Sequence, residues 1–95
     1  MDYVWDNAKN SQNRRKHGVD FRDAIAALED PNRLEGIDTR LDYGEERTNV
    51  IDMANGRVLF VAVAPRGENM CRIISARKAT RHEQDRYHAG DLETW

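Results

Sequence analysis

Cations gather directly after an apolar segment near the C-terminus. The stretch CRIISARKATRHEQDRY, residues 71–87, begins as an apolar segment and then brings Arg77, Lys78 and Arg81 close together. Arginine presents a planar fork of N–H donors that matches the oxygens of a phosphate group. Several such side chains near one end of a strand predict a phosphate-binding site.

Two arginines of this segment have a competing interpretation. If residues 70–76 alternate as in a regular strand, Arg72 lies on one face of the strand among core-like side chains. Arg77 then lies at the end of the strand on the opposite face. Either arginine can instead pair with a carboxylate of a neighbouring strand, such as Glu46 or Asp52. We favour that structural role for Arg72 and phosphate binding for Arg77.

A histidine near the N-terminus is the candidate for proton transfer. His17 follows Lys16 and precedes Gly18, and histidine titrates near neutral pH, as general acid–base catalysis requires. A histidine in the last turn of a helix, before a capping glycine, can also simply stabilise the helix end. The local sequence by itself favours the cap. His82 and His88 fall on a polar segment and are predicted to be solvated.

The sequence lacks the usual signatures of metal, nucleotide and cofactor sites. The three histidines are scattered, the one cysteine is Cys71, and no metal-ligand spacing, P-loop, G-x-G-x-x-G or G-x-S-x-G motif occurs. We therefore expect no metal and no cofactor. Arginines with a proton-transfer residue are sufficient for metal-independent cleavage of RNA, because the 2′-hydroxyl of RNA supplies a nucleophile that DNA lacks.

Length and composition predict one small domain. The chain has 95 residues, 39% of them hydrophobic, and a net charge of -2; we expect a single domain over residues 1–90 followed by a tail, residues 91–95. Residues 9–16 carry four cations and no acid, which predicts either a basic surface or an ordinary solvated face. No segment is apolar enough for a signal peptide or a membrane span, so the cytoplasm is the expected location.

The order of the elements predicts an α+β fold with two N-terminal helices, an antiparallel β-sheet of about four strands and a C-terminal helix. A capping box, TRHE at residues 80–83, begins the last helix, and Asn-Gly at residues 55–56 predicts a hairpin turn. The predicted strands are residues 33–37, 47–53, 57–65 and 70–76, with a short one at 3–5, and a polar loop covers residues 38–45. The predicted helices are residues 7–17, a stretch between Asp20 and Pro31, and residues 81–89.

Together these segments resemble one known family. WDNAKNSQNRRKHGVDF, residues 5–21, is similar to the opening of the BrnT-type toxins, a branch of the RelE/ParE-like toxin superfamily. EDP, GEER, VLFVAVA and RIISARKATRHE continue the likeness in order, over nearly the whole chain to about Tyr87. The combination of KHGVDF with ISARKAT carries most of the specificity.

The resemblance implies a ribonuclease toxin of a type II toxin-antitoxin pair with a RelE-like fold. Such a toxin inhibits translation until a cognate antitoxin, here a BrnA-like DNA-binding protein, neutralises it in a hetero-oligomer; the ribosome is a further candidate partner. The residues that match the polar signature of the family are Lys16, His17, Arg47, Arg77 and Lys78. With the phosphate-binding interpretation added, we predict catalytic roles for His17, Arg77 and Lys16, and RNA-binding roles for Arg47, Arg72, Lys78 and Arg81.

Two other classes of function stay open. A non-catalytic module would bind RNA or a protein through the same basic surface, and a structural subunit would pair its charges internally. The ribonuclease and the binding module share every residue singled out above, so the residues alone do not separate them. An adjacent gene for a short DNA-binding protein would favour the toxin.

Overall fold

The computed structural model describes residues 1–39 and 44–90 of the chain. Within them lie three helices and five strands, which confirms the predicted α+β class. In chain order the elements are β1 (Asp2–Val4), α1 (Asn7–His17), α2 (Phe21–Leu28), β2 (Leu34–Ile37), β3 (Thr48–Ala54), β4 (Arg57–Pro65), β5 (Met70–Lys78) and α3 (Arg81–Ala89). The predicted tail, residues 91–95, and residues 40–43 of the predicted loop lie outside the described residues. Among the described helices, none has the length and apolar character needed to span a membrane.

The five strands form one sheet in the order β1-β5-β4-β3-β2. Strands β2 to β5 make the predicted antiparallel meander. Asn55 and Gly56 turn the β3–β4 hairpin with φ angles of 54° and 75°, the left-handed values that an Asn-Gly turn requires. β1 adds a fifth strand and pairs in parallel with β5, so the sheet is mixed. The long connection through α1, α2 and the meander permits this parallel pairing.

The helices take different positions around the sheet. α2 covers one face, where Phe21, Leu28 and Val61 belong to the larger buried core. α1 lies along β5, and α3 packs on the opposite face against β3 and β4. There Tyr87 contacts a smaller core formed by Leu34, Ile51, Val58 and Ala79. Because α3 is short, the described residues leave part of this second face uncovered.

α1 is attached to the sheet through two buried asparagines instead of an apolar stripe. The Asn13 amide donates to the Ala76 carbonyl at 2.8 Å and accepts from the Ala76 N–H at 3.1 Å, while Asn10 accepts from the Phe21 N–H at 2.9 Å. β1 pairs with β5 only as far as Arg72, so the backbone edge at Ala76 has no strand partner there. Since a buried backbone group without a partner is costly, the Asn13 amide replaces the missing strand and fixes the end of α1 beside β5.

A β-bulge at Ile74 interrupts the alternation of β5, because the pairing with β4 skips this residue. Residues directly opposite one another share a face of the sheet. The alternate β4 residues Phe60, Ala62 and Ala64 face α3. Their partners on β5 are Arg77, Ser75 and Arg72, so these three residues also lie on the α3 face. The prediction that Arg72 and Arg77 occupy opposite faces is wrong, since the extra residue moves Arg72 to the side of Arg77.

Candidate active site

An open cleft of about 590 Å³ lies on the uncovered part of the sheet face beside α3. Its floor comes from β3, β4 and β5, and its walls come from the end of α1, the start of β3 and the first turns of α3. Arg47, Arg77 and Arg86 line it with guanidinium groups, and His17 and His82 line it with imidazoles. Such a lining can hold an anion and can exchange a proton with it.

Arg77 is held on two sides in this cleft. Its two terminal nitrogens donate to the two carboxylate oxygens of Glu83 at 2.8 and 2.9 Å, and its guanidinium carbon lies 4.2 Å from the centroid of the Phe60 ring. A bidentate pair above an aromatic ring fixes the plane of the guanidinium. Arginine has five N–H donors, and the side chain is one-third exposed, so donors remain for a ligand in the cleft.

Glu83 is the carboxylate that sets this geometry. Burial alone would raise the pKa of Glu83, but hydrogen bonds from Arg77 and from the Thr80 N–H lower it below its usual value. Glu83 also completes the predicted capping box: its carboxylate accepts from the Thr80 N–H at 2.8 Å, and its own N–H donates to the Thr80 hydroxyl at 3.2 Å. The start of α3 therefore positions an arginine of the preceding strand.

The anchored end of α1 brings His17 and Lys16 to the cleft. His17 lines the cleft itself, and Lys16 lines a smaller adjoining groove that also includes His17. The helix cap is made by Gly18, whose φ is 72° and whose N–H donates to the Arg14 carbonyl. The exposed His17 ring makes no hydrogen bond within the described part of the chain, so it is accessible to a ligand.

Arg47 and Arg72 meet at one carboxylate. Arg72 donates a hydrogen bond to Glu45, and the Nε of Arg47 lies 3.8 Å from the same carboxylate. Arg47 lines the cleft, whereas Arg72 lies nearer the start of β5 and does not line it. The proposed partners of Arg72, Glu46 and Asp52, are wrong: its partner is Glu45, and Asp52 is buried on the other face of the sheet, opposite a residue of the larger core.

Lys78 and Arg81 do not line the cleft. Lys78 lies opposite Leu59, a residue of the larger core, and therefore on the other face of the sheet. The side chain of Arg81 is 90% exposed and pairs with Asp85, one turn later in α3, at 3.4 Å. RNA binding by Lys78 and Arg81 stays a prediction.

Besides Glu83, which the sequence assigned only to the capping box, two side chains of α3 line the cleft without having been predicted as site residues. They are His82, which is exposed as expected, and Arg86. The signal for them was present, because the capping box fixes the start of the helix and residues four apart share a helix face. His82 and Arg86 have that spacing.

Comparison with known proteins shows the family and the fold of this chain. The family described as "Ribonuclease toxin, BrnT, of type II toxin-antitoxin system" matches residues 5–83. The chain belongs to the BrnT family. The likeness carried by KHGVDF and ISARKAT is thereby confirmed, and every site residue predicted from the sequence, from Lys16 to Arg81, falls within the matched part.

A crystal structure of a BrnT protein is similar to this chain. It is that of the Brucella abortus ribonuclease toxin BrnT, with a TM-score of 0.63 and 27% sequence identity. The match covers 85% of this chain and 99% of that one. No curated protein matches the chain. The two shared features, family and fold, make the chain a toxin of the ribonuclease type.

Other reactive groups of this BrnT-family chain offer little alternative chemistry. Within residues 1–39 and 44–90, no group of three or more histidine, cysteine, aspartate or glutamate side chains is arranged to hold a metal ion. Burial raises the pKa of the half-buried Cys71 thiol, which disfavours the reactive thiolate. The groups suited to chemistry are therefore those of the cleft, and cleavage without a metal stays a prediction.

Proposed function

We propose that this chain cleaves RNA in the cleft between α1, β5 and α3, without a metal ion, and thereby inhibits translation. Membership of a family of ribonuclease toxins supports the proposal. The observation that carries it is the shared cleft of His17 and Arg77, because neutralisation of the phosphate and transfer of the proton must occur at one place.

The proposed reaction is an internal transphosphorylation of the RNA strand. The 2′-oxygen forms a bond to the adjacent phosphorus, and the bond from phosphorus to the 5′-oxygen breaks. His17 either takes the proton of the 2′-hydroxyl or gives one to the departing 5′-oxygen, with water serving the other end. Arg77 stabilises the charge that grows on the phosphate oxygens. The products are a 2′,3′-cyclic phosphate and a 5′-hydroxyl.

The remaining cations of the site are proposed to bind the RNA substrate, and the antitoxin is proposed to neutralise the toxin. Arg47 lines the cleft and Lys16 lines the adjoining groove, and both are proposed to hold the RNA strand. A BrnA-like antitoxin is the proposed neutralising partner, since the family is one half of a type II pair. Induced expression with and without the neighbouring antitoxin gene, scored by growth, tests this assignment.

A non-catalytic RNA-binding module is the second candidate, and one observation favours it. Both terminal nitrogens of Arg77 are already bonded to Glu83, so this arginine has a structural partner in the absence of substrate. In that case the cleft would bind RNA through its exposed cations and leave the strand intact. Binding and cleavage must therefore be measured separately.

Cleavage of a short RNA by the purified protein in EDTA tests the proposal. Wild-type protein should yield cyclic phosphate and 5′-hydroxyl ends, and an RNA with a 2′-deoxynucleotide at the cleavage site should resist. Arg77→Ala should lower the rate by about 10²-fold or more, the range for loss of one preorganised electrostatic stabiliser. Arg57→Ala is the matched control, because Arg57 is exposed at the β3–β4 hairpin and does not line the cleft.

Binding of the RNA without any cleavage would favour the binding module instead. Cleavage that EDTA abolishes, or equal cleavage by wild type and Arg77→Ala, would contradict the proposed metal-independent mechanism. Equal cleavage by both proteins would also indicate a contaminating nuclease, which the Arg77 variant is designed to reveal.

A further inference from the structure

One carboxylate of the α3 face is surrounded by three arginines. Glu45 accepts a hydrogen bond from Arg72 of β5. Its carboxylate also lies 3.6 Å from Arg66 in the β4–β5 turn and 3.8 Å from Arg47 at the start of β3. We call Glu45 and these three arginines the Glu45 cluster.

The Glu45 carboxylate does not saturate the donors around it. The Nε of Arg72 is buried and has no hydrogen-bond acceptor within the described residues, and Arg66 is about half exposed. A buried donor without an acceptor destabilises the free protein. The cluster therefore favours a ligand that presents more acceptor oxygens than one carboxylate. A nucleic-acid strand does so, because it adds ester and sugar oxygens to the two non-bridging phosphate oxygens that the guanidinium fork matches.

The Glu45 cluster continues the cleft along the same face of the sheet. Arg47 belongs to both, since it lines the cleft and contacts Glu45. The bulge at Ile74 places Arg72 on the face of Arg77, and their partners on β4 are four residues apart, a distance of about 13 Å along a strand. A single strand of nucleic acid bound at Arg77 and following β5 would reach the Glu45 cluster with its own backbone. This continuity favours RNA over an acidic peptide as the ligand.

We propose that Arg47, Arg66 and Arg72 form a second phosphate subsite for RNA, and that Glu45 occupies this subsite in the free protein and leaves when a backbone phosphate arrives. The inference rests on the proposed function in one respect only, that the ligand is an RNA strand. It assigns to Glu45 the role of an internal competitor, so that RNA must displace a carboxylate before it binds fully. Positions outside the scissile bond then contribute to affinity.

Binding of a short 2′-O-methyl RNA tests the subsite without cleavage, because the methyl group blocks the nucleophile. Glu45→Gln should tighten binding several-fold, since the competing charge is gone while the shape of the side chain is kept. Arg66→Gln should weaken binding. It should also make the slope of log affinity against log salt less negative by about 0.7, the value for one lost phosphate contact on a single strand. Arg57→Gln is the matched control and should change neither quantity.

Unchanged or weaker binding by a folded Glu45→Gln variant would overturn the proposal, since Glu45 would then only organise its neighbours. If that variant does not fold, the test rests on the variant of the half-exposed Arg66. An unchanged slope of log affinity against log salt for Arg66→Gln would also overturn the proposal. Variants that alter binding of a poly-glutamate peptide, but not of the RNA, would assign the cluster to a protein partner instead. Because no cleavage is measured, the subsite can be confirmed even if Arg77→Ala leaves the reaction unchanged.

Discussion

Arg77 and His17 differ in how their surroundings hold them. Arg77 has Glu83 on one side and the Phe60 ring beneath, so its donors are oriented before a ligand arrives. His17 is exposed and lacks a hydrogen bond among the described residues. An oriented cation and an accessible acid or base in one cleft suit a reaction in which charge is stabilised at a fixed place while a proton moves.

The variant His17→Ala separates the two roles considered for His17. Since Gly18 already makes the capping hydrogen bond, His17→Ala should change the free energy of unfolding by no more than about 1 kcal/mol. The rate of RNA cleavage per folded molecule should nevertheless fall by about 10²-fold or more if the imidazole transfers the proton. Urea unfolding and cleavage assays on the same preparation measure both quantities.

Gly18→Ala provides the contrasting control for His17. A Cβ at φ 72° is strained, so this variant should lose about 1 kcal/mol of stability and keep its rate per folded molecule. A His17→Ala variant that behaves like Gly18→Ala would show that His17 serves only the helix.

At the scale of elements, the start of α3 links stability to the site. The Thr80 hydroxyl and the Glu83 carboxylate satisfy each other's backbone N–H groups, and the same carboxylate orients Arg77. One short sequence motif therefore begins a helix and supports a cleft residue on the strand before it. The opposite wall depends on α1, which the Asn13 amide holds at Ala76, next to Arg77.

Removal of the Thr80 hydroxyl tests the capping box. Thr80→Ala should lower the free energy of unfolding by about 1 kcal/mol, as for other N-caps. Thr80→Ser keeps the hydroxyl and should retain most of the stability. Thermal or urea unfolding checks both variants, and equal stability of Thr80→Ala and wild type would mean that the box contributes nothing to the helix.

At the scale of the molecule, a pair of acidic residues lies where the layers meet. Asp30, just after α2, accepts hydrogen bonds from the Met53 N–H of β3 and from the Tyr87 hydroxyl of α3. Burial alone would raise the pKa of Asp30, but hydrogen bonds from Tyr87 and from the backbone lower it. Asp52 is fully buried nearby and has no hydrogen bond to either carboxylate oxygen within the described residues. Burial, and then the charge of Asp30, raise the pKa of Asp52 to about 8.

The raised pKa of Asp52 predicts a loss of stability toward alkaline pH. In the unfolded chain the pKa of an aspartate is about 4, whereas the pKa of Asp52 in the folded protein is about 8. Between these values folding takes up a proton, so the contribution of Asp52 to the free energy of unfolding falls as pH rises and levels off above the folded pKa. Asp52→Asn does not titrate, so its stability relative to wild type should rise by on the order of a few kcal/mol across this range.

Urea unfolding of wild type and Asp52→Asn between pH 4 and pH 8 measures this effect as a difference, which cancels the titration of other groups. Glu68→Gln is a suitable control, because Glu68 is exposed in the β4–β5 turn and should give a difference that does not depend on pH. A difference for Asp52→Asn that is equally flat would show that Asp52 is ionised in the folded protein.

The sequence alone predicted the features that depend on neighbours along the chain. The capping box at residues 80–83, the Asn-Gly hairpin at 55–56 and the order of helices and strands follow from local backbone preferences, and the structure has all of them. The family likeness in KHGVDF and ISARKAT was also legible in the sequence and is confirmed. Such signals need no knowledge of what lies across the sheet.

The tertiary structure decided which side chains meet. One extra residue, Ile74, places Arg72 on the opposite face of the sheet from the predicted one. The local sequence does not predict this bulge, because a bulge depends on the register with β4. The carboxylates at Arg72 and Arg77 proved to be Glu45 and Glu83. An ion pair forms between groups that the fold brings within a few ångströms, whatever their separation in sequence, so residue types and spacing predicted the chemistry of the site but not its partners.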